Sequence, residues 1–309
     1  MRSHGSFLLA LFLVSGSAIA FGQSGAAIGT APNLSVSYVE GAVYQQSSSV
    51  WKALSIGDWV SSDASIRLEA GACVQLKGIG SDIYLSQKGT YAVRNLLAVR
   101  QKMASPGIGT ALLASLASLF ARPQHNQSSV AGTRGATESE NANQDWMGTG
   151  AEDDIQQARD DIQSGKYEEA IKGLTQTLGE ATEEEIPQIH YYLAYAYSLS
   201  GDTPDAERQM AGAKPSGGDF WAGDYILLQA KLCLDTFAFA QAVQWLTQPE
   251  NDLSRDAQRA SLYYFLLGLG YRGFGDEARA AQNLSRVVSL AGESELGKSA
   301  TRLLQNQQQ

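Results

Sequence analysis

Gly165-Lys-Tyr-Glu-Glu-Ala170, Gly201-Asp-Thr-Pro-Asp-Ala206, Phe237-Ala-Phe-Ala-Gln-Ala242 and Gly275-Asp-Glu-Ala-Arg-Ala280 are four versions of one block in the C-terminal half of the chain. They follow one another at a step of about 36 residues, and an apolar run of helical period precedes each. Self-similarity at this period marks a stacked helical solenoid, in which each unit buries its apolar face only against its neighbours. Such an array offers a surface to a partner rather than a reaction centre.

Placing each block start at position 15 of a unit of about 34 residues allows the other positions to be read. Two helix backbones can approach closely only where side chains are small. Positions 8, 20 and 27 hold Ala158, Ala170 and Thr177, then Ala194, Ala206 and Ala213, then Ala230, Ala242 and Pro249, and finally Gly268, Ala280 and Val287. Position 24 holds Leu174, Met210, Leu246 and Leu284, suited to filling the space between units. Tyr197 and Tyr271 stand at position 11. These residues resemble the tetratricopeptide repeat (TPR) over residues 151–291. The second and fourth units fit best, whereas the first has Asp161 at position 11 and the third has Pro249, which should end its second helix early.

Local signals support that register. Gly201 and Gly275 are placed to end first helices at a left-handed residue, and Thr203-Pro204 reads as an N-cap followed by Pro. Leu296, Leu303 and Leu304, within an otherwise polar stretch from Glu293 to Gln305, suit a helix that caps the last unit, with residues 292–309 as cap and tail.

Residues 34–93 change to period two with turn residues between runs: Leu34-Val36-Tyr38, Ile66 with Leu68, Ala72-Val74-Leu76, Ile83 with Leu85, and Tyr91 with Val93. The pattern predicts short strands in a small all-β module. Val39-Glu-Gly41 with Val43, Trp51-Lys-Ala-Leu54 leading to Gly57-Asp58, Ser65-Ile66-Arg67 and Gly80-Ser-Asp-Ile-Tyr-Leu85 are similar to the ordered motifs of a FecR-type domain. Val130-Ala-Gly-Thr-Arg134-Gly135-Ala136 is similar to the segment that closes such domains. The resemblance spans about residues 33–140. Leu68-Glu69 departs from it where the family has Thr. The cytoplasmic anti-sigma segment and membrane span of FecR proteins have no counterpart here, so sigma-factor control does not carry over. The resemblance implies an extracytoplasmic β module of envelope proteins.

An apolar insert, 107–121, interrupts that module between Pro106 and Pro123. Leu112, Leu113, Leu116, Leu119 and Phe120 fall at helical spacing, and a spanning helix would need about 20 apolar residues. Without Lys or Arg on its polar face, the insert is expected to pack one face on the β module rather than on lipid. Residues 141–150, polar and rich in Asn and Gly, read as a linker.

At the N-terminus Arg2, the apolar run Phe7 to Val14 and the small-residue pattern Ala18-Ile19-Ala20 predict a signal peptide over residues 1–20, hence export to the periplasm or cell envelope. No cysteine stands near the cleavage site, so a lipoprotein is not expected. Cys73 and Cys233, one in each half, are no disulfide framework and read as two separate buried thiols, with Cys73 turned away from the β core by its place between Ala72 and Val74. The formal charge of −9 is unevenly spread, with about +1 on residues 21–150 and −11 on 151–309. An acidic helical region repels phosphate backbones, so nucleic acid is not expected as a partner.

No nucleophile elbow, phosphate-cradling loop or metal-ligand spacing of His, Cys and carboxylates occurs, so neither an enzyme nor a cofactor nor a metal site is expected. The TPR resemblance implies a concave face built from positions 2, 5, 9 and 12 of the first helices, which here include Arg159, Tyr191, Tyr195, Lys231, Phe265 and Arg272 as ligand-binding candidates. Aromatic rings flanked by cations suit an extended peptide. The expected fold class is therefore α+β multidomain: a FecR-like β module over 30–140, then an all-α TPR-like solenoid. The expected function is an exported envelope scaffold that binds protein or peptide segments. A carbohydrate- or peptidoglycan-recognising module, with Trp51 and Trp59 as readers, is the alternative.

Overall fold

Alternating apolar residues in the N-terminal half form two four-stranded antiparallel sheets. One has the order β4-β1-β6-β7, built from β1 (Asn33–Glu40), β4 (Trp59–Ser61), β6 (Cys73–Gly78) and β7 (Ser81–Leu85). The other has the order β3-β2-β5-β8, built from β2 (Val43–Ser47), β3 (Val50–Ala53), β5 (Ser65–Leu68) and β8 (Gly89–Ala92). The structure is a computed structural model and describes residues 33–47, 49–78, 81–103, 107–120, 150–216, 218–248, 253 and 257–306. The expected signal peptide, the Val130 to Ala136 segment, the linker up to residue 149 and Pro249 lie outside the described residues. All described residues belong to one unit, Pro32–Gln309.

Between the sheets, Leu34, Val36, Val60, Ile66, Leu68, Val74, Leu76, Ile83 and Leu85 are at most 2% exposed and form one core. Tyr38 departs from the expected alternation. The ladder of β1 with β6 pairs Val36 with Leu76 but Tyr38 with Gln75, so one extra residue, Ser37, is accommodated there. A bulge inverts the parity of the strand beyond it. Val39 therefore turns inward, and Tyr38 turns to the outer face, where its hydroxyl donates to Glu40. Val93 also departs. The strand stops at Ala92 and Val93 opens α1 (Val93–Met103), whose Val93 and Leu96 close one end of the β core.

The apolar insert is α2 (Ile108–Phe120). The helical region follows as α3 (Gly150–Gln163), α4 (Tyr167–Leu178), α5 (Ile186–Ser200), α6 (Thr203–Gly212), α7 (Ala222–Asp235), α8 (Phe239–Leu246), α9 (Ala257–Gly273), α10 (Glu277–Ala291) and α11 (Glu295–Gln305). Each block of the repeating sequence is a turn between two packed helices: α3 with α4, α5 with α6, α7 with α8, and α9 with α10. Successive pairs also pack, through α4 with α5, α6 with α7 and α8 with α9, and α11 covers α10.

The small positions are where backbones meet. Ala158, Ala170, Ala194, Ala206, Ala230, Ala242 and Ala280 are at most 3% exposed. Gly268 shows why the residue must be small, since a β-carbon there would stand 2.8 Å from Leu284 Cγ. Gly165, Gly201 and Gly275 adopt the left-handed conformation at the inter-helix turns, with φ of 74°, 87° and 90°. The third turn reaches the same conformation with Phe237, at φ 62°, an uncommon state for a bulky residue.

The Asp of each Gly-Asp pair caps the following helix. Asp202 accepts from the Asp205 backbone N–H at 3.3 Å, and Asp276 from that of Arg279 at 3.0 Å. The N-cap of α6 is thus Asp202, one residue before the expected Thr203, and Pro204 lies in the first turn, where a missing N–H costs nothing. Lys166 and Ala238, at the same place in the other two units, supply no side-chain cap. In the third pair α8 ends at Leu246 and is the shortest helix of the region. Ser294 caps α11, and Leu296 and Leu303 are buried beneath it, as the spacing of that segment predicts.

Candidate binding face and the helix that covers it

The six candidate residues lie on the odd-numbered helices, and all six are buried: Arg159 6%, Tyr191 2%, Tyr195 1%, Lys231 6%, Phe265 0% and Arg272 3% exposed. An open groove lined by them is therefore corrected; they sit within the helix stack. Tyr191 stacks on Trp221 with centroids 5.0 Å apart, and Tyr195 meets its edge at 6.0 Å. Burial, together with the nearby Asp224 carboxylate, holds the Tyr191 hydroxyl well above its ordinary pKa, so it is un-ionised throughout the physiological range. Arg159 bonds Gln156 Oε1 at 2.9 Å on its own helix. Arg272 donates from Nη1 to the Leu303 carbonyl at 3.0 Å, tying α9 to α11. Lys231 Nζ donates to Ser198 Oγ at 2.8 Å and lies 2.6 Å from Asp235 Oδ2, so its charge is matched on its own helix.

Part of this face, on α3 and α9, is covered by α2. Its main packing is on α3, α9 and α11, and Leu112, Leu116 and Leu119 join the core of the helical region, not that of the sheets. The expectation that the insert would lie on the β module is thus overturned. Leu112, Leu116 and Leu119 find buried apolar partners in that helical core. On α9, Ser261 and Leu269 both border spaces against α2, and Phe265 lies between them at i, i+4 spacing on the same face. Ser198 of α5, and Gly201 just beyond its end, border a further space that Gly109, Leu112 and Leu113 of α2 also line.

The fit of α2 is loose along its edges. A space of about 470 Å³ separates the small residues Ala111, Ala114, Ser115 and Ser118 from Ser261 and Leu290. A second, of about 300 Å³, lies between α1, α2, α7 and α9. Both spaces are open to solvent along the edges of α2, while Leu112, Leu116 and Leu119 are buried beneath it.

The β module touches the helices through its outer sheet face. Tyr84 and Cys73 are buried there, and Ser86 Oγ donates to Glu207 Oε1 on α6 at 3.0 Å. Burial pushes the Glu207 carboxyl up to about 7, against the hydrogen bonds from Ser86 and Tyr84. Lys102 at the end of α1 pairs with Glu277 on α10. Both thiols are free and buried, Cys73 facing the helices rather than the β core, and burial pushes Cys233 up to about 11. Sequence reading missed this junction because α1 and the bulge at Ser37 leave no periodic mark.

Elsewhere on the β module, Arg67 lies over the Tyr44 and Trp51 rings, 5.0 and 4.6 Å from their centroids, and Trp59 is 66% exposed. Among the described residues no group of three or more His, Cys, Asp and Glu side chains could hold a metal ion, and no helix is long and apolar enough to cross a membrane. Compared with protein-family models the sequence matches none, and no curated protein matches it.

Proposed function

We propose that this chain is an exported bacterial envelope scaffold, a FecR-like β module followed by a TPR-like helical solenoid, that takes up a segment of a protein partner on the face of its odd-numbered helices. The β module docks a second envelope component. The observation that carries the reading is α2 itself: a 13-residue apolar helix without charged residues lies on that face through Leu112, Leu116 and Leu119, with unfilled space at its edges. A face that accepts one apolar helix accepts another of the same chemistry, and α2 then acts as an internal competitor. The partner segment is accordingly an apolar helix rather than the extended peptide expected from the sequence.

A labelled synthetic peptide of residues 107–121 tests this by fluorescence anisotropy against the full chain and its Leu116→Ala variant. The variant weakens docking of α2 and should bind the peptide about tenfold more tightly than the parent. If a variant that keeps its helix content binds no better than the parent, α2 is a fixed part of the core and the reading fails.

The glycan-reading alternative is favoured by one observation, the 66% exposure of Trp59 on β4, an aromatic ring open to a sugar face; the Tyr44, Arg67 and Trp51 stack belongs to the other sheet. Sedimentation of the full chain with peptidoglycan separates the two. Retention lost in Trp59→Ala supports the glycan reading.

A further inference from the structure

The space of about 300 Å³ between α1, α2, α7 and α9 has features that close packing does not explain. Its apolar wall is formed by Met103, Ile108, Leu112, Leu234, Phe237 and Leu269. Among the described residues, the acidic and basic side chains that border it are Arg100 and Asp235. Asp235 is matched by Lys231 at 2.6 Å, whereas Arg100 pairs with no carboxylate among the described residues. A neighbouring space of about 270 Å³ shares Arg100, Gly109, Leu112 and Asp235 as walls and is more polar, with the exposed Asp82 at its border.

Two residues at its border stand out. Gly109, exposed in the first turn of α2, borders both spaces, and a β-carbon there would meet nothing within 4 Å, so a larger side chain at this position has room to enter them. Phe237 adopts the left-handed conformation for which the three other units use Gly. Its ring packs against both hydrophobic cores and forms part of the apolar wall. Backbone strain of this kind persists only where the surroundings hold it.

We propose that this space is a binding site for an amphiphile with a single apolar chain and one anionic head, the chain lying against Leu112, Leu234, Phe237 and Leu269 and the head meeting the Arg100 guanidinium. Ligand sites of this kind sit at domain junctions, have mostly apolar walls and carry few polar groups that fix orientation. A carboxylate or phosphate head would complete Arg100 by a charge-assisted, forked hydrogen bond. Ile108, Gly109 and Leu112 of α2 are part of the wall, so the site exists while α2 is docked; a chain whose α2 never opens still has it, which keeps its failure distinguishable from that of the scaffold reading.

The test is calorimetric titration of the full chain with sodium decanoate, with decanol as the uncharged control. The parent should bind one decanoate per chain, and Arg100→Gln should weaken it about tenfold, to the level of decanol. Gly109→Leu fills the space on a better helix former and should abolish binding while its thermal midpoint stays level or rises. A parallel arm with phosphatidylglycerol vesicles distinguishes the source. Cosedimentation lost in Gly109→Leu assigns a membrane lipid, and decanoate binding without cosedimentation assigns a free acyl anion. Absence of saturable binding by the parent, undiminished binding by Gly109→Leu, or equal affinity for decanol and decanoate overturns the proposal.

Discussion

Ser86 Oγ donates a hydrogen bond of 3.0 Å to Glu207 Oε1, joining the β module to α6 across 121 positions of sequence. The bond is made to a carboxylate that burial has pushed up to about 7 from an ordinary 4.5. A raised carboxyl pKa means the folded chain holds its proton more tightly than the unfolded chain does. Its stabilising effect is complete below about 4.5 and is lost as pH rises through about 7.

Glu207→Gln should therefore be more stable than the parent at pH 8, by on the order of 2 kcal/mol. Its stability should also change less between pH 5 and pH 7. Urea unfolding of both proteins at several pH values measures this. An equal loss of stability over that window in the variant would show that another group titrates.

Gly268 is the position at which α9 and α10 approach most visibly, with Leu284 fully buried against it. Gly268→Val should destabilise the chain by about 3 kcal/mol, because a branched side chain meets Leu284 where no space exists. Gly109→Ala, a helix glycine with open space, should instead stabilise it by about 1 kcal/mol. Thermal and chemical unfolding of the two variants gives opposite signs if the packing is as described.

Asp276→Ala removes the acceptor for the Arg279 backbone N–H and should cost about 1 kcal/mol, with Asp276→Asn close to neutral. The same substitution pair at Asp202 should behave alike. No corresponding loss is expected at Lys166, which caps nothing with its side chain. Parallel denaturation curves for the three positions check the ranking.

Much of the architecture was legible because it rests on periodic signals. Ala158, Ala194 and Ala230 repeat at a fixed interval and are buried where that interval places them. Leu34, Val36, Ile66 and Leu76 alternate and line the sheet core. Tyr38 was misplaced because a bulge changes parity without changing composition. The candidate face was legible only in part. Phe265 and Tyr191 are buried, and spacing within a helix says nothing about what a distant segment will cover. The helical character of 108–120 was plain, and its docking on α3, α9 and α11 was not, since an apolar stripe fits any apolar surface of suitable width. Lys231 and Arg272 read as groove cations, yet each satisfies a neighbouring helix or its own, a role charge alone does not reveal.

Uptake of a partner segment requires α2 to be a replaceable cover rather than an integral layer of the core. Native-state hydrogen exchange of the full chain tests that most directly, by comparing backbone amides of α2 with those of α9. A replaceable α2 opens locally, its amides exchanging about a hundredfold faster than the core of α9 under conditions where the whole chain stays folded. Equal protection of the two helices, both lost only with global unfolding, would contradict it.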